Sequence, residues 1–219
     1  MGLDLPANPV LLPVPVLPLT PVVPKPHRAN PDPWGGLISE FAMKILIIAL
    51  LLLFLGDFLS TFGYHIPEHV FGRLHLTTHH AGHQSFSHYA VLRANLAVLM
   101  DGWLGALPYL LLALGLGYIS PWGAGLGLLI GQLHVWWRHT TALGWQTPPS
   151  LQWLCDRLGI VTPEGHWQHH QKVAIGYGDI FTLFDQPGQQ WLRWLRWLRR
   201  EYRGLLWRRR PQSGNEGMH

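Results

Sequence analysis

"LISEFAMKILIIALLLLFLGDFLSTFGYH", residues 37–65, decides how the rest of the chain is read. Every residue from Ile45 to Leu55 is apolar, and with its flanks the run covers residues 38–60. At 1.5 Å per residue a helix of that length reaches about 34 Å, enough to cross a bilayer core of about 30 Å. Lys44 can snorkel at one end, and Asp57 stands near the other, just ahead of His65. The run reads as a membrane span.

A second apolar region, Leu96 to Leu133, is interrupted by "GYISPWG". Pro121 cannot simply continue the helix before it, so the region reads as two spans, 98–118 and 121–138, joined as a hairpin. A buried hairpin of a soluble protein is the competing reading; arms near 20 residues with almost no charge disfavour it. This topology returns the chain to one membrane face at His65, His134 and His139. That face carries 13 of the 16 Lys and Arg residues, which makes it cytoplasmic by the positive-inside rule. The expected fold class is all-α: a multi-pass membrane helical protein with a metal site on the cytoplasmic face.

Composition agrees. Charged residues are 13% of the 219, against about a quarter in soluble domains, and there are 12 Trp and 14 His. Cys155 is the only cysteine, so no intrachain disulfide forms and no cysteine-held cluster can be built. Residues 1–36 form a Pro-rich segment, with ten of the 18 prolines before residue 34, and read as an extended tail rather than a signal peptide. Residues 37–190 form the membrane domain. In residues 191–219, "WLRWLRWLRREYRGLLWRRR" places arginines on one side of a helix and Trp and Leu on the other. That pattern suits a helix lying on an anionic membrane surface through 191–210; nothing in the chain resembles a nucleic-acid module.

The histidines fall into boxes: His65 and His69 in "HIPEH", His75, His79 and His80 in "HLTTHH", and His166, His169 and His170 in "HWQHH". Spacings of three and four put side chains on one helical face, and on a helix His75, His79 and His83 would form a stripe. So many imidazoles gathered at one membrane face would repel if protonated and lack partners if neutral. Metal ions resolve both problems, since neutral imidazole is a good ligand for iron, zinc or copper. Eight or more histidines oversupply a three-ligand zinc site and suit two metal ions. "HIPEH" also matches the H-x-x-E-H peptidase pattern, with Glu68 as base; Pro67 and the two other boxes argue against it.

These residues resemble the membrane-bound fatty acid hydroxylase/sterol desaturase superfamily of histidine-box non-haem di-iron enzymes. The similarity rests on "VTPEGHWQHHQ…YGDIFTLFDQ" (161–186), on the D…HxxxH stretch ending the first span, and on the isolated His139 of "RHTTALGW". Phe184 stands where the family commonly has Trp, no Arg follows His65, and the middle box is HxxxHH. Carried over, the resemblance implies His65, His69, His75, His79, His80, His139, His166, His169 and His170 as ligands of two iron ions. His83 is a further candidate, His88 and His134 are peripheral, and Asp57 and Asp179 are candidates to orient the ligating imidazoles. The implied reaction is O2-dependent hydroxylation or desaturation of a lipid chain (fatty acyl, sterol-like or isoprenoid) drawn from the bilayer. Electrons would come from an external donor of ferredoxin or b5 type, because the chain has no flavin, haem or iron–sulfur motif. A membrane protein that binds zinc or iron without turnover is the alternative.

Overall fold

The computed structural model describes residues 33–82 and 84–208. The Pro-rich segment up to residue 32, His83 and residues 209–219 lie outside them. The described chain is all-α, its only β pairing a bridge between Ile160 and Phe181. Three long helices, α1 (Pro33–Ser60), α5 (Leu96–Gly117) and α6 (Pro121–Arg138), pack against one another. Short helices α2 (Ile66–Val70), α3 (Leu74–Thr78), α4 (Phe86–Tyr89), α7 (Pro149–Leu158) and α8 (Pro163–Gln171), with the long α9 (Asp185–Arg208), gather at one end of the bundle.

Helix termini obey their capping chemistry. Asn95 accepts from the N–H groups of Ala97 and Val98 to open α5, and Ser120 accepts from Gly123 ahead of Pro121 to open α6. Thr162 accepts from Gly165, with Pro163 in the first turn, to open α8. The expected break at "GYISPWG" is therefore present within a residue or two.

By length and composition, two helices can cross a membrane: Ile38–Val70, which continues α1 through α2, and Leu96–Gly117. Helix α6 has the expected bounds 121–138 but falls short on apolarity, because Gly123, Gly125, Gly127, Gly131, Gln132 and His134 dilute its leucines. Those glycines serve packing. A Cβ at Gly123 would stand 2.8 Å from the Ile45 carbonyl oxygen, and one at Gly127 would stand 2.8 Å from Leu52 and 3.1 Å from the Ala49 oxygen. Spacing of four lets α6 settle on the backbone of α1, as small-xxx-small pairs do in membranes. Gly127→Leu should therefore prise the two helices apart and cost about 1–3 kcal/mol, read as a lower thermal midpoint in detergent.

Helix α1 does not end where its apolar run ends. Residues Thr61–His65 form a π-helical turn that passes directly into α2. The extra residue rotates α2 by about 100° relative to a regular continuation of α1, which sets the face that His65 and His69 present. Helix α3 stops at Thr78, so His79 and His80 sit in the turn after it rather than on a continuing helix, and the His83 end of the expected stripe lies outside the described residues.

Helix α9 is amphipathic as its sequence demands, but its apolar side is partly occupied. Leu192 and Leu195 are buried against Ile66, Val70 and Tyr177, and Trp191 donates its indole N–H to the Phe62 carbonyl. Trp194, Trp197 and Leu205 remain exposed.

Candidate metal centre

Nine histidines converge at the end of the bundle in two groups. His65, His69, His75, His80 and His169 bring one nitrogen each within 4.8 Å of one another, and so do His79, His139, His166 and His170. Each adjacent pair is split between the groups: His79 and His80 face different centres, as do His169 and His170. On α8 this arises from helical geometry, since His166 and His170 are one turn apart and share a face while His169 points elsewhere. His139 caps the end of α6 and is fully buried.

The ring nitrogens show what the groups require. His65 donates its Nδ1–H to the Tyr177 carbonyl, and His169 donates its own to the Ile175 carbonyl. Both Nε2 atoms are then bare lone pairs, and they stand 3.0 Å apart, so neither can donate to the other. In the second group His139 donates Nδ1–H to the Val135 carbonyl, and its bare Nε2 lies 3.2 Å from that of His79 and 3.0 Å from that of His166. The Nε2 atoms of His166 and His170 are 3.2 Å apart. Both ring nitrogens of His69 and of His80, and Nε2 of His75, are buried with no hydrogen-bond partner. Buried lone pairs left in this way cost free energy that a cation at the centre of each group removes. The donor sets fit two metal ions.

Burial keeps the imidazoles neutral, the form that ligates. It pushes His80 and His139 down to about 3, with the neighbouring His169 and Arg138 respectively acting in the same sense. His169 falls to about 4, chiefly by burial. His79, His166 and His170 lie well below the ordinary histidine value for the same first reason. With folded values below the unfolded one near 6.5, protons bind the unfolded chain first as the pH drops. The stability these groups allow is complete above about 6.5 and is lost progressively below it, by at most about 1.4 kcal/mol per pH unit for each histidine. The thermal midpoint of the metal-free protein should therefore fall steeply between pH 7 and pH 5; a flat profile would contradict neutral burial.

Asp57 and Asp179, expected to orient the imidazoles, act one layer further out. Asp57 accepts from the backbone N–H groups of Asp179, Ile180 and Phe181 and from Thr61. Asp179 accepts from Arg138 at 2.7 Å and from Ser60 at 2.9 Å. Together they tie α1 and α6 to the segment whose carbonyls hold His65 and His169. The reason is reach: Asp57 lies two turns before His65, below the histidine layer. The carboxylate that does meet a ligand is Asp101, whose Oδ1 lies 3.1 Å from His75 Nδ1 and also accepts from the Tyr64 hydroxyl. Sequence reasoning missed it, although an acid in the apolar run 96–117 was the signal available. Glu68 accepts from the backbone N–H of His75 and belongs to neither histidine group, so it has the role of a helix tie rather than that of a base beside a single zinc. His134 donates its Nε2–H to the Val161 carbonyl and His88 donates its own to the Thr78 carbonyl, both outside the groups.

A cavity of about 570 Å³ opens between α1, α5 and α6 and reaches both centres. Leu99, Leu110, Leu128 and Val135 supply apolar wall, and His65, His75, His79 and His139 close its inner end. Gly102 makes room for Val91, a β-branched residue held at φ 58° on the rim. A site of this size, mostly apolar and ending on a few converging polar groups, has the form of a small-molecule pocket.

Two helices long and apolar enough to cross a membrane, two histidine groups able to hold metal ions and a largely apolar cavity reaching both define the class of protein to which this chain is to be assigned. The chain belongs to the fatty acid hydroxylase family, whose sequence profile matches residues 48–189, and through it to the membrane fatty acid hydroxylase/sterol desaturase superfamily. It is thereby a lipid-modifying oxidoreductase of a membrane-associated family. No curated protein and no solved structure gives a significant match to the chain.

Proposed function

We propose that the protein is a multi-pass membrane oxidoreductase that uses O2 and two iron ions, on the cytoplasmic side, to hydroxylate or desaturate a lipid chain. The cavity carries this reading, because it joins an apolar space among the spans to the inner edges of both histidine groups. A site built only to store or sense metal needs no such space. Two irons held by the nine imidazoles would supply dioxygen binding and reduction and the oxidising power for an unactivated C–H bond. The chain's own residues do the rest. Leu99, Leu110, Leu128 and Val135 hold an acyl or isoprenoid chain against α5 and α6 and keep water from the inner end. His75, fixed by Asp101, and His79 stack with ring centroids 4.8 Å apart where the cavity ends, so the bound chain meets the protein between the two groups. Electrons come from an external one-electron carrier of ferredoxin or b5 type, and the exposed Trp194, Trp197 and arginines of α9 rest on the membrane surface.

The test is lipid analysis of cells that make the protein, under ¹⁸O2, alongside metal analysis of the purified chain. A new hydroxyl group carrying ¹⁸O, or a new double bond, is the expected result. Full metal loading with neither product and no oxygen consumption would overturn the proposal in favour of a non-catalytic metal-binding protein. Ala106→Trp, which fills the cavity wall away from the histidines, should lower turnover about tenfold or more while metal content stays unchanged.

A further inference from the structure

Helix α7 is held to the rest of the protein by very little. Of its ten residues Cys155 alone is buried. Helices shorter than about 12–15 residues are marginal in water unless an amphipathic face is packed. The unpacked side of α7 is apolar: Leu154 and Leu158 are 44% and 59% exposed, one turn apart, with Trp153 beside them at 60%. Leu143 and Trp145, in the connection from α6, are exposed as well. Asp156 and Gln152, bonded to each other at 2.8 Å, lie on the other side of the helix. Arg157 sits over the Trp153 ring, 5.4 Å from its centroid. Five large apolar residues within 16 positions, with an arginine–tryptophan pair at their edge, are more than a water-facing surface normally shows.

Position in the chain selects what covers this face. Helix α6 exposes Leu129, Ile130, Leu133 and Trp136 along its C-terminal half, and α7 begins after a ten-residue connection. The apolar outer surface of the bundle therefore continues in sequence onto α7 at the level where the chain leaves the spans. Trp and Arg are the residues that settle at a membrane–water boundary.

We propose that α7 is an interfacial helix, seated in the lipid headgroup layer through Leu154, Leu158 and Trp153, with Asp156 and Gln152 turned to water. From this seat the chain turns at Gly159, in the left-handed region at φ 65°, passes the Ile160–Phe181 bridge and enters α8 with three of the nine histidines. The lipid surface thus anchors the lead-in to the ligand helix. The proposal rests on the membrane-spanning reading of α5 and not on the reaction.

Spin-label accessibility in the metal-loaded full chain, reconstituted in vesicles of mixed zwitterionic and anionic phospholipid, tests it. Single cysteines replace Leu154, Leu158, Asp156 and, as a control on α5, Leu111, in a Cys155→Ala background. The labels at Leu154 and Leu158 should collide with oxygen severalfold more readily, relative to aqueous nickel complex, than the label at Asp156. Nickel access at Leu154 and Leu158 while Leu111 stays shielded would overturn the proposal and put the face in water. Shielding of both from oxygen and nickel would overturn it in favour of a protein contact, such as a second copy of the chain. Nickel access at Leu111 too would overturn it together with the spanning reading. Labelling with the buried Cys155 retained repeats the measurement should Cys155→Ala unfold the chain.

Discussion

Replacing His169 and His170 one at a time is expected to empty one centre each, and replacing both is expected to empty the protein. His169 points its Nε2 at that of His65 in the five-histidine group, while His170 joins His79, His139 and His166. Neighbours in sequence thus belong to different histidine groups. Metal analysis of the purified single variants should fall from about two ions per chain to about one, and the double variant to almost none. Turnover should disappear in all three, because C–H oxidation at a paired site needs both ions. Loss of both ions from each single variant would show one indivisible cluster. Retention of both in the double variant would remove α8 from the ligand set altogether.

Asp57→Ala should be the most damaging change outside the histidines. It removes the acceptor of three backbone N–H groups at Asp179, Ile180 and Phe181, each worth about 1–3 kcal/mol when left buried and unpaired. Asp57→Asn is the more informative variant, since it keeps the shape and one acceptor oxygen. The segment Asp57 holds also supplies the Ile175 and Tyr177 carbonyls that fix His169 and His65, whereas His139 is fixed within α6 by Val135. The asparagine variant should therefore loosen the five-histidine centre first. Metal content between one and two ions, with a changed spectroscopic signature for one ion only, is the expected outcome. Equal loss from both centres would mean that Asp57 supports the fold generally rather than one site.

Much of this is legible in the residues. The helix over 38–60, the capped break before Pro121 and the length of α6 are formed as expected, because a continuous apolar run and a Ser-Pro cap act locally. The ligand types are legible too, because imidazoles at spacings of three and four have few other uses in an apolar chain. The three boxes lead to the histidines that the structure gathers into two groups, and the family resemblance adds His139 to them.

What the residues do not decide is allocation. The π turn at Thr61–His65 rotates the first box, and the early end of α3 at Thr78 frees His79 and His80 to turn in opposite senses. Both are held by contacts with distant parts of the chain: Thr61 bonds the Tyr177 carbonyl, and Tyr89, packed on His79, stacks on His139. The same holds for Asp101, which meets His75 from another helix, and for Leu192 and Leu195 of α9, whose pattern looks free for lipid although Ile66 and Val70 cover them. By itself the sequence determined the helices, the imidazole chemistry and the membrane-like character of this protein. Only the tertiary structure decided which imidazole serves which centre, because that depends on rotations and long-range hydrogen bonds that no local spacing encodes.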